Sequence, residues 1–70
     1  MLSFKMVSED VLEVKETIMS FNGDKVSYWY YDIKNWKKSM FGTEGISPSV
    51  PMSAAGIDWV KKYYLQKVTK

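Results

Sequence analysis

The chain has 70 residues, 46% of them apolar and 16% aromatic, with a formal net charge of +2. That is material for one domain with a small core, which buries only about 60% of the surface its unfolded chain exposes. There is no cysteine and no histidine, and all ten basic residues are lysine. This excludes disulfide stapling and the usual zinc ligand sets, and removes the commonest general base, the best nucleophile and the bidentate arginine fork.

Leu2, Phe4 and Met6 alternate with Ser3, Lys5 and Val7, the period-two pattern of a short strand. Ser8-Glu9-Asp10 follows as a turn. Residues 11–21 fit two periods. As a strand they set Leu12, Val14 and Ile18 on one face. As a helix they are capped by Ser8 and carry a stripe of Val11, Val14, Ile18 and Phe21. The next residues favour the strand. Asn22-Gly23 is a strong hairpin signal, because a type I′ turn needs positive φ at both central positions. Residues 25–33 (KVSYWYYDI) are β-rich in composition.

A two-residue turn at Asn22-Gly23 sets Met19 against Val26, Glu16 against Trp29 and Val14 against Tyr31. It also sets Glu13 against Asp32, a like-charge pair that should fray or bulge the ladder. One sheet face then carries Leu12, Val14, Ile18, Trp29, Tyr31 and Ile33. The other carries Met19, Val26, Tyr28 and Tyr30, with Lys15 and Thr17.

Asp32 suits the cap of a short helix over 33–41, with Ile33, Trp36 and Met40 on one side and Gly42 at its end. Residues 42–52 read as a loop, in which Ser47 and Val50 are held extended by the prolines that follow them. Ser53 caps a last helix, with Met52 and Ile57 placed as a hydrophobic staple. Its stripe is Ile57, Val60, Tyr64 and Val68, flanked by Leu65. Lys61, Lys62, Lys67 and Lys70 lie toward its C-terminal end, where cations suit the helix dipole. The expected fold is a single α+β domain over 1–70: a three-stranded antiparallel meander, a short helix, and a C-terminal helix packed on one sheet face.

No Ser-x-x-Lys, Gly-x-Ser-x-Gly, Gly-x-Gly-x-x-Gly or Walker-type string occurs. With the missing residue types, this leads us to expect no enzyme, no catalytic residue and no cofactor. Glu9, Asp10, Glu13 and Glu16 form an acidic cluster. On a helix Glu9, Glu13 and Glu16 would share a face and could hold a hard cation; on a strand Glu13 and Glu16 diverge, so no metal site is expected. No apolar run reaches the ~20 residues of a membrane helix, and the N-terminal residues lack a signal-peptide core. The expected location is the cytoplasm. The span from Met1 to Lys70 reads as a whole small gene product. Lysine-only basic usage fits an AT-rich coding sequence such as that of a phage.

Three partner classes follow. The leading expectation is a small protein-interaction module, of the kind a phage encodes to inhibit or modulate a host protein. Its contact surface would be Met19, Val26, Tyr28 and Tyr30, extended by Trp59 and Tyr63, since an uncovered apolar face marks an interface. The alternative is a weak binder of single-stranded nucleic acid, with Lys34, Trp36, Lys37 and Lys38 combining cation and stacking ring. The third is a homo-oligomeric structural subunit. Charge is uneven along the chain, with a net of −3 over 1–33 and +5 over 34–70, which suits a partner charged on one side.

Overall fold

Among residues 1–68, which the computed structural model describes, five strands precede a C-terminal helix. They are β1 (Leu2–Met6), β2 (Val11–Ile18), β3 (Lys25–Asp32), β4 (Lys37–Lys38) and β5 (Val50–Pro51). All pair antiparallel in the order β1-β2-β3-β4-β5. The class is α+β as expected, but the three-strand meander is extended to five strands.

Residues 11–18 are a strand, as the hairpin reading required. The register differs from the expected one by two residues: Val14 faces Trp29, Leu12 faces Tyr31 and Glu13 faces Tyr30. Asn22 does not adopt the positive φ of a type I′ turn; within the turn only Gly23 does, at +105°. The connection therefore runs from Met19 to Asp24, closed by a bond from Gly23 N to Ser20 O at 3.2 Å and by the Ser20 hydroxyl donating to Gly23 O. The cross-strand pairs supply the reason. The observed register replaces Glu13 opposite Asp32 with Glu13 opposite Tyr30, and brings Val14 rather than Glu16 against Trp29. Because the slip is even, every side chain keeps its face.

The first face holds the core. Leu12, Val14 and Val60 are fully buried, and Phe4, Met6, Trp29, Tyr31, Ile33, Trp36, Met52, Tyr64, Leu65 and Val68 pack against them. Ile18, placed on this face by its parity, lies near the end of the hairpin and is half exposed.

No helix forms over 33–41; residues 33–36 turn the chain from β3 into β4. The local signal at Asp32 was sound, since its carboxylate accepts from Lys34 N at 2.9 Å and Asn35 N at 3.0 Å. These bonds hold the Asp32 carboxyl below its ordinary range, with nearby Lys37 adding a smaller effect. The turn ends at Trp36 in the left-handed region, at φ +51°. A helix cannot continue through that geometry. For a non-glycine residue it costs roughly 1–2 kcal/mol, offset here by seating the indole against the core, where Lys61 Nζ lies 5.1 Å from the ring centroid. The strand that follows brings Lys37 opposite Asp32 and Lys38 opposite Tyr31. On the far side β5 is two residues long and ends in Pro51, a residue tolerated at a sheet edge.

The last helix begins as read. Ser53 Oγ accepts from Gly56 N at 3.2 Å, and an α-helical turn covers Ala54–Trp59 (α1). It then widens into a π-helical turn over Val60–Tyr64 and closes as a 3₁₀ turn over Leu65–Lys67. In the π turn Leu65 N bonds to Val60 O. One turn beyond Val60 thus falls on Leu65 instead of Tyr64. Tyr64 and Leu65 both follow Val60 onto the core, while Tyr63 stays outside. Lys70, expected at the helix end, lies outside the described residues.

Candidate interaction surface

The second sheet face is where an uncovered aromatic surface was expected. The strands place Tyr28, Tyr30 and Val26 there with Glu13, Lys15 and Thr17. The four expected contact residues have different surroundings. Met19 is 82% exposed and Val26 is exposed, Tyr28 is half-buried, and Tyr30 is buried at 4% exposure.

Residues 39–48 account for the burial of Tyr30. Ser39 N donates to Tyr30 O at 2.9 Å, and Tyr30 N donates to Ser39 Oγ at 2.7 Å. Three residues further on, Tyr28 and Gly42 exchange backbone bonds at 2.7 and 2.9 Å. Three steps on one strand thus match two on the other, a one-residue bulge at Met40–Phe41. The bulge pulls the ladder out of step, and the Ser39 hydroxyl supplies the acceptor that a backbone carbonyl otherwise would. The loop then crosses the face, and Gly45 N donates to Tyr30 Oη at 2.7 Å. The same phenol donates to Glu13 Oε2 at 2.9 Å. Burial raises the Tyr30 pKa above its ordinary value; the Gly45 bond opposes this and the Glu13 carboxylate adds to it. Residues 42–52, expected as a loop throughout, are loop only over 43–49 and at Met52, since Gly42 bridges to Tyr28 and Val50–Pro51 form β5. The segment closes the middle of the face that it was expected to leave open.

Trp59 and Tyr63 are exposed at 53% and 47%, with ring centroids 4.4 Å apart. They belong to the helical segment that covers the first face, so they form a separate patch and do not extend the Tyr28–Tyr30 face. Their i, i+4 spacing brings the two rings together on one side of the helix.

The lysine-and-aromatic set is also divided. Trp36 is half-buried against the core, and Lys61 is the cation over its ring. Lys37 and Lys38 are consecutive strand residues and point to opposite faces. Lys34 is exposed in the turn. No single groove gathers the four. Among the described residues no three acidic side chains converge on a common point, and Glu13 and Glu16 fall on opposite faces of β2.

At the hairpin end the sequence-based surface included Met19 and Val26 but missed Ile18 and Phe21. Ile18, Met19, Phe21 and Val26 are all exposed there, Phe21 completely, and two open depressions are lined by Met19, Ser20 and Phe21 and by Met1, Thr17, Ile18, Met19 and Asp24. A signal was available: Phe21 beside Asn22-Gly23 puts a large apolar side chain at a turn tip, where a sheet offers nothing to bury it.

Among the described residues no helix is long and apolar enough to cross a membrane. No family model, curated protein or solved structure matches the chain.

Proposed function

We propose that the chain is a small protein-binding module that inhibits or modulates its partner, and that it makes contact through the β2–β3 hairpin end. The observation that carries this reading is the group Ile18, Met19, Phe21 and Val26, four exposed apolar side chains at one end of the sheet. Ile18 and Val26 point to opposite faces of the hairpin, with Met19 and Phe21 in the connection between them. Apolar side chains left exposed around one end of a sheet mark an interaction site. Met19 and Val26 belong to the surface expected from sequence; Phe21 and Ile18 replace the buried Tyr30. The Trp59–Tyr63 pair is a second patch of the residue types enriched at binding hot spots.

The test is affinity capture from the native host with the tagged chain, run beside a Met19→Ser/Phe21→Ser double variant. Both side chains are exposed, so the variant should keep the wild-type melting temperature. A partner retained by the wild type and lost with the variant supports the hairpin end. A partner retained equally by both overturns it.

A further inference from the structure

We propose that the free edge of β1 pairs with β1 of a second copy about a two-fold axis through Phe4, doubling the five-stranded sheet. This inference is independent of the hairpin end.

Among the described residues β1 lies at the edge of the sheet, with a neighbour on one side only. Its hydrogen-bond phase is fixed by its ends. Met1 and Thr17 exchange backbone bonds at 2.9 Å in both directions, and Val7 N donates to Val11 O at 3.0 Å. In an antiparallel ladder the bonding side alternates, so Ser3 and Lys5 also bond toward β2. The N–H and C=O groups of Leu2, Phe4 and Met6 therefore point outward. They form a set symmetric about Phe4.

The side chains share that symmetry. Residues 1–7 (MLSFKMV) run apolar, apolar, polar, apolar, polar, apolar, apolar, a palindrome centred on Phe4. An isologous two-fold contact needs this kind of self-complementarity. With Phe4 opposite the partner's Phe4, Leu2 meets the partner's Met6 and Met1 meets the partner's Val7. Ser3 meets the partner's Lys5, so no like charges are opposed. All six outward backbone groups of each copy are used. Met1, Leu2 and Val7, exposed in the single chain, each gain an apolar neighbour. Leu2, Phe4 and Met6 extend the first face across the junction, and each Phe4 is backed by its own Tyr64, 5.0 Å away between ring centroids.

Neighbouring registers are worse. Centring on Lys5 sets it against the partner's Lys5 at the closer, non-hydrogen-bonded spacing. Centring on Ser3 sets Met1 against the partner's Lys5. Each also leaves the outward groups of one end unpaired. The other edge of the sheet does not support continued growth, because β5 is two residues long and ends in Pro51. Pairing therefore closes at two copies instead of running on into a fibre.

The experiment is sedimentation over a concentration series, read against the chain mass of 8.2 kDa. The wild type should approach twice that mass as concentration rises. Ser3→Lys sets two cations opposite each other at both symmetric positions and should raise the dimer dissociation constant by about tenfold. Because residue 3 also faces Lys15 within the chain, the melting temperature of the monomer is measured beside it. Adding Lys5→Glu to Ser3→Lys should restore association even though the new carboxylate then faces Glu13 in its own chain, which a purely intrachain effect would not do. In an equal mixture, copies carrying Ser3→Cys and copies carrying Lys5→Cys should cross-link to each other faster than either does to itself. A wild type that stays at the monomer mass throughout overturns the proposal. So does a dimer whose affinity ignores Ser3→Lys, or one whose cysteine variants show no preference for the mixed pair.

Discussion

Tyr30 Oη donates to the carboxylate of Glu13 directly across the β2–β3 ladder, at 2.9 Å. The same oxygen accepts from Gly45 N at 2.7 Å. One phenol therefore ties together the register of the central hairpin and the loop that crosses the second face. Tyr30→Phe keeps the ring and removes both bonds. It should cost about 1–2 kcal/mol, a fall of roughly 4–16 °C in melting temperature for a domain this small. Amide exchange should show Gly45 N–H less protected. An unchanged melting temperature would mean that the loop is held by other contacts.

Ser39 stands in for a backbone acceptor at the bulge. Ser39→Ala leaves the buried N–H of Tyr30 without its partner, and should destabilise by about 1–3 kcal/mol. Ser39→Thr keeps a hydroxyl there and should lose less. Chemical denaturation of the two variants decides the matter; equal losses would show that the hydroxyl bond is not the cause.

Trp36 holds a left-handed backbone as well as a core contact. Trp36→Ala loses the indole and keeps the strained φ; Trp36→Gly loses the indole and relieves the strain. The glycine variant should therefore be the more stable of the two by about 1 kcal/mol. In an ordinary turn position with negative φ, glycine would be the less stable replacement. Denaturation midpoints of both proteins give the sign directly.

Burial pushes the Tyr31 hydroxyl up to about 12, with the neighbouring Tyr64 adding to the effect. An unfolded tyrosine ionises near pH 10, as model peptides do. A pKa raised by folding contributes stability that is complete below the unfolded value and is lost as pH rises toward the folded one. The domain should therefore weaken between about pH 10 and pH 12. Tyr31→Phe should flatten that decline. Tyrosinate absorbance and circular dichroism, followed together, test this. If the variant declines as steeply as the wild type, Tyr31 is not the group responsible.

Which side chains share a face was legible in the sequence, because strand alternation is a local property and survives an even slip in register. Leu12, Val14, Trp29 and Tyr31 therefore appear on the face assigned to them, although each meets a different neighbour from the one expected. The Ser53 cap and the core-facing positions Val60, Tyr64 and Leu65 were legible for the same reason, since hydroxyl capping and helical spacing act within a few residues. Of the four residues expected to form an open sheet face, only Met19 and Val26 are exposed. Tertiary structure decided the rest. Asn22-Gly23 signalled a tight turn, but pairing Glu13 with Tyr30 and Val14 with Trp29 set the register, and the turn lengthened to suit. Asp32 capped its turn as a helix start would, yet Trp36 packs half-buried on the core with a left-handed backbone, and the chain leaves that residue into β4. Tyr30 was expected to be open because its strand face looked bare; Ser39 and Gly45, nine and fifteen residues further along, close over it. Such contacts depend on which distant segments meet, and the spacing of residues within a single segment carries no record of that.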